Sequence, residues 1–203
     1  MQLTWASFSP DGISVVLGGV AVIGAATCLG SVVLLHFLPT GYNPIRNAVS
    51  DYGVGPYRIW HRIAVVALAV AGLAMTLASS GSIRKEPPIV IGFLLSFSVT
   101  RILIPFFPTD IEGQPRTRTG SVHLGLALVA FASLASAAGF FEGTNLDNLV
   151  GWVVVATAVF SLVALPWPRL KPIFGLLERL FYLSMIGWLL VIGIELILLA
   201  IRY

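Results

Sequence analysis

The sequence predicts an all-α integral membrane protein: a bundle of six transmembrane helices forming a single domain over residues 1–203. Three observations carry this. Hydrophobic residues make up 57% of the chain and charged residues 10%, against roughly 25% charged in soluble domains. The mean hydropathy is +0.94. Six apolar runs approach or exceed the roughly 20 residues that a helix needs to cross the hydrocarbon core, with no internal repeat, low-complexity segment or soluble domain between them.

The first run, about 13–38, ends at Pro39. It is too long for the apolar core of a signal peptide (roughly 7–15 residues), and Met1 to Gly12 contain no Lys or Arg, so it is expected to stay in the protein as a membrane helix. The second, about 59–79, stops at a Ser-Ser-Gly-Ser cluster. The third, about 88–107, starts with prolines, which a first helical turn tolerates, and carries Pro105 near its end. The fourth spans about 121–141, the fifth about 149–165 and the sixth about 173–201, the last two separated by Pro166, Pro168 and Pro172. Small residues recur inside the runs: Gly18, Gly24 and Gly30 in the first, and Ser133, Ala135, Ala137 and Gly139 in the fourth. Such residues let helix backbones approach closely in lipid, either within one tight bundle or at a dimer face.

Six helices put both termini on one side. The loops after helices one, three and five carry Arg46, Arg58, Arg116, Arg118, Arg169 and Lys171, whereas the terminus side carries Arg84, Lys85 and Arg202. The excess of positive charge places the odd-numbered loops in the cytoplasm and the termini outside, in the plasma (bacterial inner) membrane. The net charge of +3 is scattered through short loops, which argues against a nucleic-acid face. The one cysteine, Cys28, lies inside an apolar run and cannot form an internal disulfide.

Residues capable of chemistry gather at the cytoplasmic end. The connector from His36 to Arg62 is polar, aromatic and rich in turn residues. It holds Ser50, Asp51 and Tyr52, with His36 and His61 at its ends. His123 opens the fourth helix at the same face. Three imidazoles converging there would suit a divalent metal such as zinc with one open position; otherwise each is an interfacial side chain bonded to water or backbone. Asp51 and Asp110 could complete such a site or act as general bases, or could hold turn and helix-end amides. Arg101 lies six residues, roughly 9 Å, inside the third helix, where a charge is expected to face the bundle interior and meet Asp51 or Asp110. The alternative is snorkelling to the interface. Arg116 and Arg118 precede a helix start and could hold a lipid phosphate there, or serve only as topology signals. Glu178 and Arg179 begin the sixth helix on the same face, and Glu195 lies near its opposite end.

The order Leu-Pro-Thr-Gly-Tyr-Asn-Pro, Val-Ser-Asp-Tyr-Gly-Val-Gly, Phe-Pro-Thr-Asp, Arg-Thr-Arg-Thr-Gly-Ser-Val-His and Glu-Arg-Leu-Phe-Tyr resembles the bacterial "domain of unknown function 998" membrane proteins. The resemblance runs from the first helix to the sixth. It implies a six-helix membrane protein with Ser50, Asp51, Gly53, Pro108, Asp110 and His123 as motif positions. More distantly, the Ser-Asp-x-Gly loop is similar to that of Frag1/DRAM/Sfk1-type membrane proteins, some tied to lipid-anchor remodelling. A Ser, an Asp and three His also resemble the alkaline-ceramidase and adiponectin-receptor zinc hydrolases, but the last helix here lacks a histidine.

Two functions follow as expectations. One is a lipid- or amphiphile-directed hydrolase with Ser50, Asp51, Asp110 and His123 as catalytic groups and Tyr52, Arg101, Arg116 and Arg118 as substrate-binding groups. Its metal, where one is used, would sit on His36, His61 and His123. The other is a non-catalytic bundle that binds membrane lipids or a partner protein. A transporter would be expected to show a repeat or paired broken helices, and neither is present.

Overall fold

A computed structural model describes residues 12–80, 85–111 and 114–201. Residues 1–11 lie outside these, as do Arg84 and Arg202 of the charge comparison. The described residues form six α-helices: α1 Gly12–Phe37, α2 Arg58–Ser80, α3 Pro88–Leu103, α4 Arg118–Phe140, α5 Asn145–Ala164 and α6 Phe174–Ile201. Each helix, counting the short turns that extend α3 and α6, is long and apolar enough to cross a membrane. Each helix packs on its neighbours in sequence, and α6 closes the ring against α1.

The boundaries follow from local chemistry. Thr117 caps α4 by accepting the Gly120 amide at 3.0 Å, so the helix begins three residues before its apolar run. Thr144 accepts the Asp147 amide at 3.3 Å while Asp147 accepts the Thr144 amide at 2.9 Å, and this reciprocal cap starts α5 early. Pro105 tightens the end of α3 into a 3₁₀ turn, Ile104–Phe106.

With the outer faces apolar, the helices are held by close approach and interhelical hydrogen bonds rather than by hydrophobic collapse. A Cβ on Gly18 would stand 2.6 Å from the Gly193 carbonyl oxygen of α6, and one on Gly24 would stand 2.6 Å from the Ala67 oxygen of α2. Gly30 faces open space, so the glycines of α1 serve two different helix crossings and do not form a continuous strip. In α4, Ser133 and Ala137 are buried inside the bundle. Ser133 donates to Ser96 across α3–α4 at 3.0 Å, and Thr157 and Ser184 join α5 to α6 at 2.8 Å.

A polar layer and a loop clasp at one end of the bundle

The connector 38–57 folds back across the start of α6. Gly41 and Gly55 have positive φ angles of 77° and 106°, which lets the chain reverse without strain. The carbonyls of Ile45 and Arg46 accept the Leu176 and Gly175 amides at 2.9 and 3.3 Å, so the loop backbone caps α6. Gly175 is required because the loop lies directly on it: a Cβ there would collide with the Asn47 oxygen and stand 2.8 Å from that of Pro44. One turn further on, the Glu178 carboxylate accepts the Val49 amide at 2.6 Å.

Arg179 locks this clasp. Its Nε donates to His36 Nε2 at 2.8 Å, its Nη1 to the carbonyls of Asn47 (2.7 Å) and Gly175 (2.9 Å), and its Nη2 to the Tyr52 hydroxyl at 3.2 Å. His36 Nδ1 lies 2.6 Å from the Val32 carbonyl, which can only accept, so the imidazole is the Nδ1–H tautomer and both ring nitrogens are occupied. Tyr52, buried, packs edge-on against His36 and Tyr42. Tyr52 and His36, expected at a substrate or metal site, are therefore parts of the clasp. Asp51 accepts the Ala48 amide at 3.0 Å and the Asn47 side-chain amide at 3.3 Å, stabilising the 3₁₀ turn Val49–Gly53 in which Ser50 sits half-buried. A shallow cleft of about 30 Å³ borders this turn, lined by Tyr42, Tyr52 and Tyr57 among others, with room for water rather than a headgroup.

Deeper in the bundle, α2, α3 and α4 bring His61, Arg101 and His123 into one layer, all buried and within electrostatic reach of one another. The His61 ring rests on Gly53, where a Cβ would stand 2.9 Å from Nδ1; that contact explains the glycine of the Ser-Asp-Tyr-Gly sequence. His123 Nδ1 donates to the Phe107 carbonyl at 2.7 Å, which leaves Nε2 as the nitrogen with a lone pair. Arg101 is 1% exposed. It does point into the bundle, but its partners are not the expected carboxylates. Nη1 donates to the Tyr182 hydroxyl at 2.7 Å, Nη2 approaches the Met185 sulfur at 3.7 Å, and Nε has no partner among the described residues. The rings of Tyr182, Phe97 and Phe131 surround the guanidinium at 5.0–5.5 Å.

Asp110 lies elsewhere because backbone amides outbid a distant guanidinium. Its carboxylate takes the Thr117 amide at 3.2 Å and the Thr117 hydroxyl at 2.6 Å, and rests against Gly120. The start of α4, where a lipid phosphate could have been held, is thus filled by a protein carboxylate, and Arg116 and Arg118 stay exposed. Among the described residues no three His, Cys, Asp or Glu side chains are grouped to hold a metal ion, so the three-histidine site does not form. His36 is held by Arg179, and a dication between His61 and His123 would feel the Arg101 charge. Sequence reasoning missed Arg179 and Glu178 as organising residues; the signal was a charged pair one turn after a helix-starting glycine.

The fold and this end of it define a multi-pass membrane protein with a buried polar layer. The chain belongs to the family described as protein of unknown function (DUF998), which matches residues 22–195. Neither a curated protein nor a solved structure matches it.

Proposed function

We propose that this chain is an amphiphile-binding membrane protein that receives a lipid-like headgroup at the layer formed by His61, Arg101 and His123. The supporting observation is the layer itself. Three polar side chains from three consecutive helices are buried inside the spans within electrostatic reach of one another, where such groups are costly and usually mark a ligand pathway. Asp51 and Asp110 hold backbone amides, which favours binding over carboxylate-driven hydrolysis. The layer faces the cytoplasm of a bacterial inner membrane in this reading, from the excess of Arg and Lys in the odd-numbered loops.

Native mass spectrometry of the detergent-purified protein tests the reading. A membrane amphiphile should remain bound at about one per chain and be lost in His61→Ala/His123→Ala. Equal retention by wild type and variant would contradict the proposal. Labelling of single cysteines placed at Thr117 and Thr144 tests the orientation: Thr144 should react from outside and Thr117 only after permeabilisation.

One observation favours a second, hydrolytic reading. With Nδ1–H fixed on Phe107 and Asp110 within electrostatic reach, the Nε2 lone pair of His123 is placed to activate water. Release of a labelled product from a total lipid extract, abolished by His123→Gln, would move the protein into that class.

A further inference from the structure

The two edges of the Arg101 guanidinium are treated differently. Nη1 holds the Tyr182 hydroxyl at 2.7 Å. The opposite edge, formed by Nε and Nη2, is the side-on fork that binds carboxylates and phosphates through two parallel hydrogen bonds. Here that fork has no oxygen acceptor among the described residues: Nε is unpartnered, and Nη2 has only the Met185 sulfur at 3.7 Å, a weak acceptor. Three aromatic faces at 5.0–5.5 Å soften the charge without giving the N–H groups anything to bond. Glu178 lies within electrostatic range, but its carboxylate is held by the Val49 amide. Met185 is fully buried, and its unbranched, flexible side chain is of the kind that can repack around an entering group.

We infer that the Nε/Nη2 edge of Arg101 is the receptor for a single oxyanion, a phosphate or carboxylate group, which enters by displacing the Met185 thioether. This rests on the amphiphile-binding reading and narrows it to anionic headgroups. Both N–H groups would then gain charge-assisted partners, and the buried cation a counter-ion.

The test is thermal unfolding of the purified full-length protein in neutral detergent, with phosphatidylglycerol, diacylglycerol (the same lipid body without an oxyanion) or inorganic phosphate added. Phosphatidylglycerol at a hundredfold excess over its dissociation constant should raise the midpoint by about 5 °C, and diacylglycerol by less than half as much. Arg101→Met should abolish the difference between the two lipids. Arg101→Lys, which keeps the charge but loses the fork, should reduce it at least about threefold. Met185→Ala should enlarge it. If Arg101→Met does not fold, the Lys and Ala variants decide. A shift with inorganic phosphate equal to that with phosphatidylglycerol would support the oxyanion receptor and identify its source as a free anion. Equal stabilisation by both lipids, or an unchanged lipid difference in the Lys and Ala variants, would overturn the inference and leave amphiphile binding standing. Absence of stabilisation by every additive would remove both.

Discussion

Arg101 and Arg179 are buried at the same end of the bundle, both touch α6 or belong to it, and the chain surrounds them in opposite ways. Arg179, 9% exposed, makes four hydrogen bonds to oxygen and nitrogen acceptors from α1, the 38–57 connector and its own helix. Arg101 makes one to an oxygen and one to sulfur. A loop can bring carbonyls to a guanidinium, because its backbone oxygens are not committed to a helix. Arg101 sits among helices whose backbone groups are largely committed to their own ladders, and its partners are side chains. The difference separates a residue that assembles the fold from one whose hydrogen-bonding capacity the described residues leave partly unused.

The largest effects should fall on the clasp. Arg179→Met strands the Asn47 carbonyl, the Tyr52 hydroxyl and the His36 ring nitrogen, and should lower unfolding stability by about 3–5 kcal/mol. Arg101→Met strands only the Tyr182 hydroxyl and places an apolar chain among three rings, so it should cost no more than about 1–2 kcal/mol. Denaturation in mixed micelles reads both. A loss at Arg101 equal to that at Arg179 would end the distinction.

A smaller effect tests the loop alone. At Gly175 a methyl group would meet the Asn47 and Pro44 carbonyls, so Gly175→Ala should lift the connector and cost about 1–3 kcal/mol. Arg46 and Arg58 are exposed and lie on or beside that connector, so trypsin cleavage at them should accelerate in the variant. The Arg101 cage, built from α3, α4 and α6, should keep its response to lipid. Cleavage at the wild-type rate would show that the loop does not depend on this contact.

How legible this was in the sequence divides along the same line. Six spans could be read directly, because length and apolarity decide them, and the intramembrane charge at Arg101 stood out against its run. Its partners could not be read. Charge pairing pointed to Asp51 and Asp110, but each was closer to unpaired amides of its own turn, and a short carboxylate prefers those to a guanidinium across a helix. Partner choice for Arg179 depends on the path of a connector with three prolines and three glycines between His36 and Arg62, and no periodicity encodes that path. The helix ends shifted by a few residues wherever a threonine cap lay before the apolar run, as at Thr117 and Thr144.

The smallest effect belongs to Tyr42, the outer ring of the clasp, packed edge-on against Tyr52 at 5.6 Å and lying outside the spans. Burial raises its hydroxyl above the ordinary value of 10.0, and the nearby Asp51 carboxylate raises it further, because both disfavour a phenolate. An acid whose folded pKa is raised stabilises the fold below its unfolded pKa and loses that contribution as pH rises through the folded one. The clasp should therefore hold through neutral pH and loosen only in the alkaline range above 10. Carbon-13 NMR of labelled tyrosine, with Tyr42→Phe to assign the signal, should show a resonance titrating above the ordinary tyrosine range. Asp51→Asn should bring it partway back, leaving the part due to burial. The Arg101 cage offers a control: burial and Asp51 are what act on Tyr42, so Arg101→Met should leave the Tyr42 titration where it is. Should Arg101→Met shift that titration as much as Asp51→Asn does, the two arginine sites would be one electrostatic unit, and the division between them would fail at its most sensitive point.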